Sequence, residues 1–293
     1  MKVLLTGSTG YIGSAILTSL TSAGHEVTAL VRTEDAATAA GRAGVAPAVG
    51  DMRDAGLVTE LANTVNAVIH AATPGDETSS DADNEFADAV LAGLGDRGAA
   101  FIRTGGIWIH GSGSDLTEET PHDPPALVAW RSEIDRRILT ASGIRAVLVE
   151  PAIVYGHGGG IPNIVTRADA IGSPPGLQLL GDGTQHWGTV HVDDLADLYV
   201  LALEKAPHGA VYLGASGHNP TVLQIGEAAS RVRGFNGKVT PESTARTVER
   251  LGAFGEALLL DQQASGRHAR ESLGWAPKHP TLITEINEGH YTD

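Results

Sequence analysis

The chain has 293 residues, no cysteine, 42% hydrophobic residues and a formal net charge of −15. The missing cysteines exclude disulfides and thiol catalysis, and the acidic charge argues against a nucleic-acid partner, which needs a basic surface. No stretch approaches the roughly 18 apolar residues of a membrane helix, and the opening MKVLLTG lacks the form of a signal peptide. We therefore expect a cytoplasmic protein with neither a membrane nor a nucleic-acid partner.

Strands and helices alternate along the first part of the chain. Apolar runs predict strands at 2–6, 25–32, 66–72 and 99–105, and helical periodicity predicts helices at 12–23, 34–42, 54–63 and 82–95. This alternation is typical of an α/β fold with a doubly wound parallel sheet. After residue 150 the chain is richer in Gly and Pro, with further helices predicted at 193–205 and 221–234. We predict a Rossmann-like core over 1–155 and a smaller C-terminal substrate lobe over 156–293, from which 189–205 returns to the core.

The segment TGSTGYIG, residues 6–13, follows the first strand and opens the first helix. Glycines at 7, 10 and 13 would permit a tight turn, a close approach of backbone to a pyrophosphate, and close packing of helix on strand. Amide groups at the helix start would face the phosphates. We expect dinucleotide contacts from Gly7, Thr9, Gly10, Tyr11, Ile12 and Gly13.

The end of the second strand bears on the choice of cofactor. Folds that favour NAD usually carry an acid there, whereas this strand ends in Arg32-Thr33, and an arginine can bind a 2′-phosphate. The prediction is NADP(H), with NAD(H) possible because Glu34 follows closely. In GDMRD, residues 50–54, Asp51 could accept a hydrogen bond from the adenine, with Met52 beside it; a loop or N-cap role for Asp51 is an equal alternative.

TGSTGYIG, GDMRD, VIHAA (68–72), PAIVYG (151–156) and TVHVDDLADLY (189–199), in this order, resemble the extended short-chain dehydrogenase/reductases of the NAD-dependent epimerase/dehydratase group. The resemblance spans nearly the whole chain. It implies that Ala71 and Ala72 flank the nicotinamide ribose, and that Pro151 and Ile153 lie near the nicotinamide.

The sequence departs from this family at the catalytic residues, normally a Ser or Thr and a Tyr-x-x-x-Lys. TGGIWIHG, residues 104–111, offers only the Thr104 hydroxyl. LVAWRSEIDRRIL, residues 127–139, is predicted to be helical; alignment with the family puts Arg131 at the lysine position and Leu127 at the tyrosine position. Arg131 can bind the ribose but cannot give up a proton near neutral pH. The chain thus resembles atypical ketoreductases that tailor aromatic polyketides in antibiotic biosynthesis, such as the angucyclinones of the simocyclinone type.

Other side chains could take over the role of the missing acid. Besides Thr104 and Arg131, the catalytic candidates are Ser112, Tyr155 and His157. Residues that would suit an apolar, ring-shaped substrate are Trp108, Ser112, His157, Ile161, His186 and Trp187, although tryptophan is more often a core residue. We expect no metal site, because no HxxxH motif or His/Asp cluster has ligand spacing.

The function predicted from the sequence is NAD(P)H-dependent reduction of a carbonyl in a small apolar or aromatic molecule. A sugar-nucleotide epimerase or dehydratase and a non-catalytic NADP-binding redox sensor are the alternatives. The epimerase or dehydratase is disfavoured because its chemistry depends most on the absent tyrosine. A monomer and a homodimer are both open.

Overall fold

The computed structural model describes residues 1–42 and 44–291, and the chain divides into two compact units. The first unit comprises Met1–Gly105, Trp130–Glu150 and Leu195–Tyr212, and the second comprises Gly106–Ala129, Pro151–Asp194 and Leu213–Asp293. These bounds differ from the predicted ones, and the second unit is as long as the first. The difference arises because strand pairing collects segments distant in sequence, which a continuous division of the chain cannot anticipate.

The secondary structure alternates as expected in the N-terminal part. The strands are β1 (Lys2–Thr6), β2 (Glu26–Val31), β3 (Ala46–Val49), β4 (Ala67–His70), β5 (Ala100–Thr104), β6 (Gly113–Leu116), β7 (Arg145–Pro151), β8 (Ile153–Gly156), β9 (Gly159–Gly160), β10 (Ala170–Ile171), β11 (Gly176–Gln178), β12 (Thr189–His191), β13 (Ala210–Gly214), β14 (Val239–Thr240) and β15 (Gln262–Ala264). The helices are α1 (Tyr11–Ser22), α2 (Glu34–Arg42), α3 (Ala55–Asn63), α4 (Ser79–Leu94), α5 (Arg131–Leu139), α6 (Asn163–Thr166), α7 (Val192–Lys205), α8 (Val222–Val232), α9 (Thr244–Leu258), α10 (Arg267–Leu273) and α11 (Leu282–Asn287), with a 3₁₀ turn at Ile107–His110.

A seven-stranded sheet has the order β13-β7-β5-β4-β1-β2-β3, and its pairings from β7 to β3 are parallel. The predicted α/β Rossmann-like fold is confirmed. The core of the first unit consists of apolar side chains from the central strands and from α3, α4 and α5. The register sets Thr6 of β1 beside His70 of β4, and His70 beside Arg103 of β5. Three polar side chains therefore sit side by side in otherwise apolar strands.

The helix predicted over 127–139 begins later than expected. Residues 127–130 form turns, in which the amide of Val128 donates to the carbonyl of Pro125, and α5 starts at Arg131. Leu127, aligned with the family tyrosine, is therefore in a turn and exposed. Arg131 occupies the first helical position.

The second unit contains three small sheets, β10-β11-β14, β12-β8-β9 and β15-β6. Its core joins apolar residues of β8, β11, α8 and α11. The parallel pairing of β8 with β12 explains why residues 153–155 belong to this unit and not to the first. None of the described helices is long and apolar enough to cross a membrane.

Candidate functional site

The glycine turn after β1 has the geometry that its spacing predicts. Gly7 has φ +76°, and a Cβ there would lie 2.3 Å from the carbonyl oxygen of Ala71. A Cβ on Gly13 would lie 2.0 Å from the carbonyl oxygen of Gly7. Both contacts are too short for any side chain, so these positions require glycine. The turn is closed by the amide of Gly10, which donates to Gly7 O at 2.8 Å.

Helix α1 begins directly after this turn without a side-chain cap. Its N-cap residue, Gly10, has extended backbone, and no acidic side chain lies in the first turn. The positive end of the helix dipole is therefore not offset by the helix's own residues. Such an end, reached through glycines that leave room for a ligand, suits a phosphate group.

A cavity of about 610 Å³ lies over this turn in the first unit, within the range of cofactor sites. Eleven of the predicted cofactor-binding residues line it, namely Gly7, Thr9, Gly10, Tyr11, Ile12, Gly13, Arg32, Asp51, Met52, Ala71 and Ala72. Thr6, Arg53, Thr73 and Thr78 also line it. The strand ends, the glycines and the uncapped helix together fit a dinucleotide.

Arg32, which directly follows β2, carries a positive charge at the wall of this cavity. Arg32 is exposed, lines the cavity and forms no ion pair with the residues described. Thr33, predicted as a cofactor ligand, is not among the lining residues, because its hydroxyl accepts the amide of Ala36 and so caps α2. Glu34 and Asp35 occupy the first turn of that helix, where acids favour the dipole.

Asp51 and Arg53 follow β3, the neighbour of β2 in the sheet, and line the same cavity. The carboxylate of Asp51 accepts the amide of Arg53 at 2.9 Å, so this acid combines a turn role with a place on the cavity wall. The guanidinium of Arg53 donates to both carboxylate oxygens of Glu85, at 2.8 and 3.1 Å. The charge of Arg53 is therefore paired, in contrast to that of Arg32.

Thr104, at the end of β5, is joined to a tyrosine that the sequence interpretation did not single out. The Thr104 hydroxyl donates to the carbonyl oxygen of His70 at 2.7 Å, and it lies 2.6 Å from the hydroxyl of Tyr199 in α7. Since the proton of Thr104 goes to His70, the phenol of Tyr199 must be the donor. Burial raises the pKa of Tyr199, which keeps this donor protonated. Tyr199 stands within TVHVDDLADLY, the only signal that could have drawn attention to it.

Arg131, the first residue of α5, contacts the backbone that directly follows β5. Its Nη1 donates to the carbonyl oxygen of Gly105 at 2.9 Å, whereas its buried Nε has no hydrogen-bond partner in the described part of the chain. The guanidinium carbon lies 5.2 Å from the ring centre of Trp130. Burial lowers the pKa of Arg131, but an arginine stays charged near neutral pH. A buried donor without a partner is costly, and this Nε is closed to solvent.

A buried polar network lies behind Thr104. Thr6 Oγ1 is 2.7 Å from Nδ1 of His70, whose Nε2 is 3.3 Å from Asp83. Arg103 donates to Asp83 at 2.7 Å and also to Asp135. Burial raises the pKa of Asp135 to about 6, while the bonds from His70 and Arg103 lower the pKa of Asp83 against the effect of its burial. The one sequence signal for this network is Arg103, a charge inside the apolar strand AFIRT.

Several predicted site residues of the second unit are core residues instead. Tyr155 is 1% exposed and its hydroxyl donates to Pro280 O at 2.7 Å, while Trp187 is 2% exposed and its Nε1 donates to Leu258 O at 3.0 Å. Burial therefore corrects the expectations that Tyr155 acts on a substrate and that Trp187 lines a substrate site. Ile153 is buried in the same core, and Pro151 is the last residue of β7.

The remaining candidates of the second unit are partly or largely exposed. Ser112 Oγ accepts the amide of Asp261 at 3.1 Å, and His186 Nδ1 lies 2.8 Å from the carboxylate of the same aspartate. His157 is exposed, with Nε2 2.8 Å from Asp193. Trp108 packs edge-on against Phe254, and Ile161 is half-buried against the core. Each of these polar side chains is thus engaged with its own unit.

Comparisons with known proteins give a consistent assignment. An uncharacterized protein of Schizosaccharomyces pombe is 29% identical over 99% of this chain and 100% of its own length. The 3-diazoavenalumate denitrifying reductase of a Streptomyces species is 26% identical, covering 96% of this chain and 97% of its own. A 4-hydroxy-2-methyl-3-oxo-4-farnesyl-3,4-dihydroquinoline-1-oxide ketoreductase of Stigmatella aurantiaca is 25% identical, covering 94% and 92%.

Among solved structures, the dTDP-glucose 4,6-dehydratase of Bacillus anthracis in complex with NAD superimposes with a TM-score of 0.80. At 17% identity over 100% of this chain and 96% of that one, it supports the fold alone. The family described as the NAD dependent epimerase/dehydratase family matches residues 3–96 and 132–214, more than half of the sequence. The chain therefore belongs to the NAD dependent epimerase/dehydratase family.

Proposed function

We propose that the chain is an NADP(H)-dependent reductase of a carbonyl group in a small apolar or aromatic molecule. The observation that carries this proposal is the glycine-lined cavity at the uncapped start of α1, with the unpaired charge of Arg32 at its β2 wall. Two relatives named as reductases, one of them a ketoreductase, support the reaction class. The tailoring of aromatic polyketides remains part of the proposal.

Different residues of the first unit would bind different parts of the cofactor. Gly7, Gly10 and Gly13, with the amides that begin α1, would hold the pyrophosphate, and Arg32 the 2′-phosphate. Asp51 would accept from the adenine amino group. When bound, NADPH supplies the hydride.

Arg131 would serve the substrate oxygen electrostatically. Carbonyl reduction builds negative charge on the oxygen, and a half-buried guanidinium that no described carboxylate pairs with is suited to stabilise that charge. It cannot give up its proton, so it replaces the lysine of the family as a hydrogen-bond donor and not as part of an acid.

The Thr104–Tyr199 pair would supply the remaining proton. Thr104 holds its hydroxyl against His70 O, and the next residues along that strand end, Ala71 and Ala72, line the cavity. If Thr104 turned its hydroxyl to a carbonyl oxygen, Tyr199 would continue to donate to Thr104 Oγ1. The proton passed to the oxygen would then be restored to Thr104 from solvent, and Tyr199 would stay protonated because burial raises its pKa.

The test is NADPH consumption by the purified chain with a panel of quinones and hydroxylated aromatic ketones. Turnover with a ketone, giving the alcohol and NADP⁺, is the expected result. NADPH binding at micromolar concentration without turnover of any panel member would favour the redox sensor. Conversion of a sugar nucleotide without net cofactor consumption would favour the epimerase or dehydratase.

A further inference from the structure

Three histidines of the second unit surround one aspartate. Nε2 of His157 lies 2.8 Å from Oδ2 of Asp193, Nε2 of His279 lies 3.7 Å from it, and Nδ1 of His191 lies 3.8 Å from it. Donor atoms of His157, His191 and Asp193 all lie within 4.8 Å of one another. We refer to His157, His191, His279 and Asp193 as the histidine cluster. It was not apparent in the sequence because its members come from three separate segments.

Two of these histidines are oriented by carboxylates on their far sides. Nε2 of His191 lies 3.1 Å from the buried Glu285, and Nδ1 of His279 lies 2.8 Å from the buried Asp194. In the neutral imidazoles these bonds fix the proton on the outer nitrogen and leave the lone pair of the inner nitrogen toward Asp193. Carboxylates placed in this way behind histidines are a recurrent feature of metal sites.

The packing of the rings holds this arrangement. The His191 and His279 rings stack with centres 4.1 Å apart and planes 9° apart, so His279 supports the face of the His191 ring and does not share an ion with it. The His157 ring meets His191 edge-on at 5.3 Å, an orientation that lets both rings face one ion. The amide of Asp193 donates a hydrogen bond to His191 Nδ1 at 3.1 Å. A metal ion at this nitrogen would take the place of that hydrogen bond. Asp193 and His157 are open to solvent, which provides a route of entry.

The distances match the needs of a small divalent ion. Ligand bonds of about 2.0–2.1 Å in a tetrahedron put neighbouring ligand atoms about 3.3 Å apart. The separations of 2.8 Å from His157 and 3.8 Å from His191 to Asp193 Oδ2 bracket this value. Imidazole and carboxylate ligands suit Zn²⁺ and related transition ions better than Ca²⁺ or Mg²⁺.

We propose that the histidine cluster binds one divalent transition-metal ion, Zn²⁺ or a close analogue, through His157 Nε2, His191 Nδ1 and Asp193 Oδ2, whose donor atoms lie within 4.8 Å of one another. Three protein ligands leave the fourth position of a tetrahedral ion to water. The ion would join the turn after β8 to the end of β12 and to the start of α7. The proposal stands independently of the reductase activity.

The experiment titrates metal-free protein with Zn²⁺ by calorimetry and with Co²⁺ by visible absorption. We expect one ion per chain, an intense tetrahedral Co²⁺ spectrum and an increase of the unfolding temperature with Zn²⁺. His157→Gln and Asp193→Asn should each weaken binding more than tenfold, and Glu285→Gln about 10–100-fold through His191. The matched control is His186→Gln, because His186 also pairs with an aspartate at 2.8 Å but lies outside the cluster.

Circular dichroism separates loss of binding from loss of folding, and the exposed position of His157 makes its variant the decisive one. Three outcomes would overturn the proposal: no binding of either metal by the folded wild-type chain, binding that His157→Gln and Asp193→Asn leave unchanged, or binding that His186→Gln weakens as much as they do. The last two would identify adventitious surface binding.

Discussion

The proposed preference for NADP(H) can be tested by one substitution at Arg32. The residue lies on the cavity wall directly after β2, and no acid described in the structure pairs with it. Arg53 lines the same cavity, but its guanidinium is held by Glu85 at 2.8 and 3.1 Å. The charge available for a 2′-phosphate is therefore that of Arg32. In Arg32→Asp, the carboxylate would repel this phosphate and could accept the 2′-hydroxyl of NADH.

The size of the effect follows from the exposure of Arg32. A hydrogen bond to a charged group contributes about 1.5–3 kcal/mol, and for an exposed side chain we take the lower value, or roughly tenfold in Kd. At an assumed separation of ~6 Å, each unit of like charge adds about 0.7–2.8 kcal/mol between dielectric constants of 80 and 20. The substitution should thus weaken NADPH binding by about 2.2–4.3 kcal/mol, or roughly 40–1,200-fold in Kd.

The assay measures Kd for NADPH and NADH by fluorescence titration at low and moderate salt. We expect the loss to be confined to NADPH and to shrink as salt screens the exposed charge. Arg42→Asp is the matched control, because Arg42 ends α2, is exposed and does not line the cavity, yet the change in net charge is the same. An equal loss for both cofactors, or an equal effect in the control, would refute the assignment of Arg32 to the 2′-phosphate.

Three further variants test the cavity, the proton donor and the buried network. Gly13→Ala places a Cβ 2.0 Å from Gly7 O, so it should weaken the binding of both cofactors more than tenfold and lower the unfolding free energy by about 1–3 kcal/mol. Gly41→Ala is the control, because open space surrounds Gly41, and it should stabilise α2 by about 0.5–1 kcal/mol. Denaturant unfolding and cofactor titrations that give the same result for the two variants would contradict this account. Thr104→Val should lower kcat about 100-fold while Ser112→Ala leaves it nearly unchanged, and the opposite order in steady-state rates would reject Thr104 as the donor. Burial raises the pKa of Asp135 to about 6, above its ordinary value of about 3.9, so the folded chain binds this proton more tightly than the unfolded chain does. The contribution of Asp135 to the unfolding free energy therefore falls as pH rises between these two values, by about 3 kcal/mol in all. Asp135→Asn should remove that slope, and parallel unfolding curves for the two proteins from pH 4 to 7 would show the inference to be mistaken.

The elements and the glycine turn were predictable because their signals are local. The predicted helix over 12–23 is α1 at Tyr11–Ser22, and that over 54–63 is α3 at Ala55–Asn63. Periodicity and turn chemistry act over a few residues, so a single sequence contains them. Most of the residues that line the cavity were also predictable, because the carboxyl ends of parallel strands meet at one edge of the sheet.

The polar networks were not predictable, because their contacts join residues far apart in the chain. Thr104 meets Tyr199, and Arg103 meets both Asp83 and Asp135, through pairings that only the folded sheet creates. The same limit applies to the aromatic residues. Tyr155 and Trp187 were candidates for site roles although aromatic residues of this kind are more often structural, and both are buried in the core.

The buried carboxylates also clarify what the loss of the family tyrosine requires. Asp83 and Asp135 both bond to Arg103, while Arg131 keeps a buried Nε without a partner among the described residues. If either carboxylate were bonded to Arg131 instead, the guanidinium would be neutralised and of little use to a developing oxyanion. The division of partners therefore leaves Arg131 without a bonded carboxylate among the described residues. In the proposed reductase this charge would stabilise the oxyanion, so that the proton could arrive late and from a weak donor, which is the role the proposal gives to the Thr104–Tyr199 pair.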